Sequence, residues 1–200
     1  RTSSCSAGVF VPGTWRGTSR PAATLRGMYL ASHFGNFYEA APIEELETYV
    51  EDLALWGVNA VGLAFPDWQF ESYDDPAARA NLKRVSAMMK ASQRAGMQVG
   101  AFVAPNQVFK TAPKHLRAKP YPDDWRRRGD LGVNLCPSLP EAREYMLKNW
   151  ALLLDEYRAT GLDFVVYWPY DEGGCGCVEC WPWGPRGYFQ ICREFTRLAR

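Results

Sequence analysis

Hydrophobic positions along the chain alternate between short continuous runs and helical repeats. Four continuous runs, rich in β-branched and aromatic residues, predict strands at residues 25–31, 58–65, 97–104 and 164–168. Between them, apolar residues recur every three or four positions and predict helices at residues 42–56, 77–95, 141–160 and 187–200. A glycine suited to a left-handed cap follows each of the first three helices, at Gly57, Gly96 and Gly161. Four successive βα units predict a parallel sheet covered by helices.

The spacing of these units favours a (β/α)8 TIM-barrel type of α/β fold. Each unit takes about 40 residues, and a full barrel needs about 250. We therefore expect residues 25–200 to form the N-terminal half of a barrel catalytic domain, whose C-terminal half is missing. Residues 1–24, rich in Ser, Thr, Gly, Pro and Arg, are expected to be a linker or the end of an upstream domain. A doubly wound sheet is the alternative, but no Gly-x-Gly-x-x-Gly phosphate loop follows a strand.

Two adjacent carboxylates, Asp171 and Glu172, follow the fourth predicted strand and precede Gly173 and Gly174. Neighbouring carboxyl groups that are partly desolvated shift each other's pKa, so one stays protonated while the other is ionised. Glycosidic bond cleavage uses such a pair, one group as the proton donor and one as a negative charge near the reacting carbon. The pair predicts a catalytic site. An exposed acidic turn is the alternative, because Asp and Glu are common turn residues.

Aromatic and polar residues follow the other strands too, and in a barrel all these loops meet at one face. An aromatic content of 14% suits a sugar ligand as well as a large core. His33 is a candidate pocket residue or a structural histidine, and tryptophans near the fourth strand are candidate stacking platforms or loop-packing residues. The candidate substrate-binding residues are Arg26, His33, Asp67, Trp68, Asn106, Trp168, Tyr170 and Trp183.

Four of the six cysteines fall within eighteen residues, at Cys175, Cys177, Cys180 and Cys192. Cys175, Cys177 and Cys180, with Cys192 or Cys136 as a fourth ligand, could hold zinc. A disulfide that braces the loop is an equal alternative, and buried free thiols are a third. The even cysteine count favours a secreted or periplasmic location. No other cofactor is expected.

The charge balance excludes some classes of partner. The chain carries 23 basic and 22 acidic residues, a formal net charge of +1, so neither nucleic acid nor anionic lipid is an expected partner. The longest apolar runs are strand-sized, so no membrane span is expected. The run Arg126–Arg128 lies in a long predicted loop, residues 105–140, and is expected to be a solvated charge cluster.

Three motifs carry a resemblance to known proteins: Arg26-Gly27-Met28-Tyr29-Leu30, Asn134-Leu135-Cys136-Pro137-Ser138-Leu139-Pro140-Glu141 and Asp171-Glu172-Gly173-Gly174. With these motifs the sequence resembles the catalytic barrel of retaining exo-glycosidases, most closely glycoside hydrolase family 20, the β-N-acetylhexosaminidases. Some of the likeness is shared with the α-glucuronidases of family 67.

The resemblance implies a role for three of these residues. Arg26 would hold sugar hydroxyls, Asp171 would orient the substrate's N-acetyl group, and Glu172 would be the general acid/base. The chain departs from the family before the acidic pair, where Tyr167-Trp168-Pro169-Tyr170 replaces His-x-Gly-Gly.

The leading hypothesis is a glycosidase-type barrel that acts on a glycan when the protein is full length. It requires Arg26 and the acidic pair to face the same hollow. A non-catalytic carbohydrate-binding barrel and a zinc- or disulfide-braced structural module are the two alternatives.

Overall fold

The computed structural model describes residues 16–120, 133–169 and 174–200, together with the backbone of residues 4–6 and 9–11. Eleven strands and α-helices lie within these ranges. The strands are β1 (Ser4–Ser6), β2 (Val9–Val11), β3 (Gly27–Leu30), β4 (Ala60–Ala64), β5 (Gln98–Val103) and β6 (Phe164–Tyr167). The helices are α1 (Phe37–Ala40), α2 (Ile43–Leu55), α3 (Pro76–Arg94), α4 (Pro140–Tyr157) and α5 (Phe189–Leu198).

Strands β3 to β6 form one parallel sheet in the order β3-β4-β5-β6. The register aligns Leu30 with Leu63, Leu63 with Ala101, and Ala101 with Val165. Each strand lies beside the next one in the sequence, and helices connect them. This is the arrangement of successive βα units in a TIM barrel, so the predicted partial barrel is confirmed.

Strands β1 and β2 pair with each other in antiparallel register, with Cys5 opposite Phe10. They form a separate two-stranded sheet. Both lie within residues 1–24, which were expected to be a linker or the end of an upstream domain.

One face of the parallel sheet packs against the helices. Side chains on that face are fully buried, among them Leu30, Val61, Leu63 and Val99, and they join helix residues such as Met89 in one core. Burial of these apolar side chains is the main stabilising contribution to the fold. The helix-facing core therefore fixes the position of the sheet and of the loops that follow its strands.

The other face of the sheet carries glycines under aromatic rings. A Cβ atom added to Gly62 would lie 2.1 Å from the ring of Phe102, and one added to Gly100 would lie 2.2 Å from the ring of Phe164. Only glycine leaves space for these rings at the strand surface.

The helix ends follow the sequence prediction closely. Gly57, Gly96 and Gly161 have φ angles of 89°, 79° and 78°, as expected for left-handed helix caps. In the described part of the chain, none of the helices combines the length and the hydropathy needed to cross a membrane.

Candidate functional site

A cavity of about 210 Å3 lies at the carboxyl end of the parallel sheet. Loops after all four strands contribute to it: His33 follows β3, Asp67 and Trp68 follow β4, Gln107 follows β5, and Trp168 follows β6 directly. Active sites of TIM-barrel enzymes occupy this edge, because all the βα loops meet there. The cavity is the candidate site.

Aromatic rings form one wall of the cavity. The ring centroid of Tyr29 lies 4.6 Å from that of Phe102 and 5.2 Å from that of Trp168, and the Phe102 and Trp168 centroids are 5.4 Å apart. Trp168 keeps 37% of its surface exposed. Rings packed in this way hold each other in place while leaving a free face for an apolar ligand surface.

His33 contacts both Tyr29 and Trp68. Its Nε2 is 2.7 Å from the hydroxyl of Tyr29, and its ring centroid is 5.6 Å from that of Trp68. Burial lowers the pKa of His33, and the opposing effect of Glu39 is smaller, so the ring is neutral at pH 7. Its Nδ1 is buried and has no hydrogen-bond partner among the described residues. His33 is thus a neutral imidazole whose buried Nδ1 has no partner among the described residues.

The backbone beside His33 adopts an uncommon conformation. Phe34 has a φ angle of 65°, which is rare for a bulky side chain, and its ring contacts the edge of His33 at 4.2 Å between centroids. Strained backbone of this kind concentrates at ligand sites. Phe34 also lines the cavity, with 61% of its surface exposed.

Asp67 begins a 3-10 turn, Asp67–Gln69, and lines the cavity. Burial raises its pKa from 3.8 to about 7, although hydrogen bonds from the backbone N–H groups of Trp68 and Asp67 itself favour the charged form. At neutral pH the carboxyl group is therefore divided between its protonated and ionised forms. It can donate a hydrogen bond or a proton as well as accept one.

The loop after β5 contributes Gln107 rather than Asn106. The side chain of Asn106 donates to the carbonyl of Leu135 at 3.3 Å, so it joins two loop segments instead of lining the cavity. Gln107 does line the cavity, and both of its amide atoms are buried without a partner in the described structure. The predicted role of Asn106 is corrected to a structural one. Gln107 was missed because it directly follows Asn106, and the sequence alone does not show which of two adjacent polar side chains faces the cavity.

The structure also corrects the predicted role of Arg26. Its guanidinium donates to the carbonyls of Ala23 (2.8 Å), Thr24 (3.1 Å) and Gly57. Arg26 precedes β3 and Gly57 precedes β4, so this side chain lies at the amino end of the sheet, opposite the cavity. Arg26 therefore does not line the cavity, and its predicted grip on sugar hydroxyls there is corrected to a structural role. Its position relative to Asp171 and Glu172 stays a prediction, because these two residues lie outside the described ones.

Trp183 packs within the loop between β6 and α5. A Cβ atom added to Gly174 would lie 1.9 Å from its ring, and one added to Gly187 would lie 2.1 Å away. The ring also packs against a buried cysteine cluster. It is not among the residues that line the cavity. The predicted sugar-stacking role of Trp183 is therefore replaced by loop packing, whereas Trp168 does lie in the cavity.

Three predicted site residues, Tyr170, Asp171 and Glu172, lie outside the described residues. So does the basic run Arg126–Arg128. In the sequence, the acidic pair stands three and four residues after Trp168.

A second cluster of reactive side chains lies beside the loop after β6. The sulfur atoms of Cys136, Cys175, Cys177 and Cys180 all lie within 4.8 Å of one another. The Sγ of Cys136 is 3.7 Å from that of Cys177 and 3.9 Å from that of Cys180. A hydrogen bond from the Cys180 thiol lowers the pKa of Cys175, and hydrogen bonds from the backbone of Cys177 and Lys119 act in the same direction.

Of the two predicted candidates for the fourth ligand, Cys136 belongs to this cluster and Cys192 does not. It lies on α5, buried, where it interacts with Tyr188. Cys136, which is 39 residues before Cys175, takes the fourth position. Among the residues whose side chains are described, all five cysteines are free thiols.

Comparison with known proteins identifies the fold but no family. No protein-family model matches the sequence, and no curated sequence matches it significantly. Solved structures do match. A Salmonella typhimurium protein assigned as an alpha-amylase superimposes on 94% of this chain, with a TM-score of 0.54 and 15% sequence identity.

Two family 20 enzymes match as well. The GH20 exo-β-N-acetylglucosaminidase of Vibrio harveyi covers 90% of this chain, with a TM-score of 0.54 and 15% identity. The chitobiase of Flavobacterium johnsoniae covers 89%, with a TM-score of 0.52 and 15% identity. This chain spans about a third of the length of the three structures: 33%, 29% and 34% for the Salmonella, Flavobacterium and Vibrio proteins. The chain has a partial (β/α)8 barrel fold, distantly similar to those of glycoside hydrolases.

Proposed function

We propose that this chain forms part of a glycoside hydrolase-type barrel, and that the cavity at the carboxyl end of its sheet binds a sugar of a glycan substrate. The cavity carries the proposal. It combines an aromatic wall with a titratable carboxyl group, Asp67, and a neutral imidazole, His33, at the edge where barrel enzymes bind substrates.

The described side chains would divide the work of binding. The exposed face of Trp168 packs on the apolar face of a sugar ring, and Trp68 closes the opposite side. Asp67 and His33, with the unpartnered amide of Gln107, hydrogen-bond the ring hydroxyls. Buried polar groups without protein partners are costly unless a ligand satisfies them, which favours a polyhydroxylated ligand here.

For catalysis we assign Glu172 as the general acid/base and Asp171 as the group that stabilises developing positive charge. The basis is their place in the sequence. They follow β6 and Trp168, and Trp168 lies in the cavity. The family 20 likeness suggests a hexosaminidase-like substrate. Arg26 lies away from the cavity, however, so the proposed substrate class is a glycan in general rather than a β-N-acetylhexosaminide.

A complete site needs more of the barrel. Within the described sheet, β3 and β6 each pair on one side only. We expect further strand–helix units, from the missing half of the barrel, to pair with these edges and to cover the face that carries Phe102 and Phe164.

The test is turnover of a panel of aryl glycosides by the full-length protein. Replacing Glu172 by glutamine should lower kcat/KM at least about 100-fold on substrates whose leaving group needs a proton. Glu179→Gln is the matched control, because Glu179 is an exposed glutamate of the same loop. Equal activity of Glu172→Gln and wild type would remove Glu172 from the mechanism.

A second candidate is a carbohydrate-binding barrel without catalysis. The position of Arg26 favours it, since the cation expected to hold substrate in an active family 20 site is absent from the cavity. This candidate predicts calorimetric sugar binding that is equal in wild type and Glu172→Gln, with no turnover by either protein.

A further inference from the structure

We propose that Cys136, Cys175, Cys177 and Cys180 form a structural zinc site that ties the loop after β6 to the loop after β5. This site is separate from the sugar cavity and does not depend on the proposed glycosidase activity.

The distances between the sulfur atoms match a tetrahedral metal centre. Four thiolates at the usual Zn–S distance of about 2.3 Å stand about 3.8 Å apart along each edge of the tetrahedron. Two separations, 3.7 Å from Cys136 to Cys177 and 3.9 Å from Cys136 to Cys180, bracket that value. A disulfide would require the sulfur atoms to approach to about 2.05 Å. The geometry therefore fits a shared ion better than a covalent bond.

The surroundings of the cluster are those of a closed metal site. Cys175, Cys180 and Cys136 are 0%, 1% and 3% exposed. The backbone N–H of Lys119 donates to the Sγ of Cys175 at 3.3 Å, and the hydroxyl of Ser138 lies 2.9 Å from the Sγ of Cys136. Such contacts orient thiolate ligands and stabilise their charge.

The identity of the ligands selects the ion and its role. Four cysteine sulfurs in a tetrahedral arrangement suit Zn2+, because soft thiolate ligands select against Mg2+ and Ca2+. Four protein ligands leave no open position for a water or a substrate, so the ion would be structural rather than catalytic.

The ion would join two segments that both already contact a third. Cys136 donates its backbone N–H to Leu116, and Gly176 donates to Lys119, so residues 116–119 lie between the two cysteine-bearing segments. Trp183 packs on Gly174 from the same loop. The site would thereby hold the cysteine-bearing part of the loop after β6 in place. This part begins at Cys175, which is close in sequence to Glu172.

The first experiment measures metal in the wild-type full chain, expressed with zinc in the medium and purified without chelator. We expect about one zinc per chain by elemental analysis. We also expect zinc-edge X-ray absorption to show four sulfur neighbours at about 2.3 Å. Because this measurement uses the wild-type protein, it does not depend on whether a variant folds. Metal-free protein, iron in place of zinc, or fewer than four sulfur neighbours would overturn the proposal.

Two cysteine variants then identify the fourth ligand. Cys136→Ser should lower the zinc content at least about tenfold, or leave the remaining zinc easily removed by a chelator. Cys192→Ser is the matched control, a second buried cysteine outside the cluster, and should keep about one zinc per chain. Loss of zinc in Cys192→Ser with retention in Cys136→Ser would contradict the assignment. So would a disulfide among these cysteines in non-reducing peptide mapping of the wild type.

Discussion

Replacing Asp67 by asparagine probes the electrostatics of the cavity directly. Folding raises the pKa of this carboxyl group from 3.8 to about 7, so between these pH values the folded state holds its proton more tightly than the unfolded state does. The free energy of unfolding must therefore fall as the pH rises through this window and level off above about pH 7. This direction is opposite to that of a carboxylate stabilised by an ion pair.

The size of the effect follows from the shift. From 3.8 to about 7 is about three pKa units, and each unit corresponds to about 1.4 kcal/mol. Ionised Asp67 thus lowers the free energy of unfolding by at most about 4 kcal/mol. The side chain keeps some contact with solvent, which makes this figure an upper limit. Asparagine has a similar shape and no charge, so Asp67→Asn should remove this part of the pH dependence.

The assay is urea unfolding of wild type and Asp67→Asn at several pH values from about 4 to about 8. We expect similar stabilities near pH 4 and a growing advantage for the variant towards pH 8. Asp75→Asn is the control, because hydrogen bonds from the backbone N–H groups of Ala77 and Glu71 lower the pKa of this exposed carboxyl group. The contribution of Asp75 to the free energy of unfolding is lost only as the pH falls below the pKa of an ordinary aspartate. Parallel pH profiles for wild type and Asp67→Asn would refute the assignment of a raised pKa.

Three further substitutions have defined outcomes. Gly62→Ala places a methyl group against the Phe102 ring and should lower the free energy of unfolding by about 1–3 kcal/mol. Gly27→Ala, whose nearest contact is 3.9 Å, should leave the free energy of unfolding unchanged. Equal losses in the two variants would contradict the packing of Phe102 on Gly62. Arg26→Ala should cost about 1–2 kcal/mol in urea unfolding and leave sugar binding unchanged, because its partners are backbone carbonyls. Trp168→Ala should weaken sugar binding roughly 2- to 13-fold in calorimetry, through loss of about 0.5–1.5 kcal/mol of ring packing.

The order of strands and helices was predictable because local signals are strong in this chain. Apolar runs, helical repeats and capping glycines agreed on every boundary between a helix and the following strand. Gly57, Gly96 and Gly161 show why: each adopts the positive φ that only glycine adopts without strain.

The direction of a side chain at the start of a strand was less predictable. The first strand was expected at residues 25–31 but begins at Gly27, because the backbone N–H of Arg26 donates to the side chain of Asn59 rather than to the sheet. Arg26 is consequently placed before the strand, at the amino end. The predicted strand bounds already put Arg26 near the amino end, and only the family resemblance gave it a substrate-binding role.

The sequence did not decide between Cys136 and Cys192 as the fourth cysteine of the cluster. Sequence proximity favoured Cys192, which is 12 residues after Cys180, over Cys136, which is 44 residues before it. The fold reverses this preference, because the loop after β5 returns beside the loop after β6. Four candidate residues that follow strands do line the cavity: His33, Asp67, Trp68 and Trp168.

The most direct test of the account is a sugar titration of the isotope-labelled full chain, followed by NMR, with a panel of monosaccharides and their aryl glycosides. The account predicts that at least one member of the panel causes saturable shifts in the indole N–H signals of Trp68 and Trp168, while the Arg26 Nε–H signal stays in place. Shifts centred on Arg26, or no shifts at the two tryptophans with any member of the panel, would contradict a sugar site at the carboxyl end of the sheet.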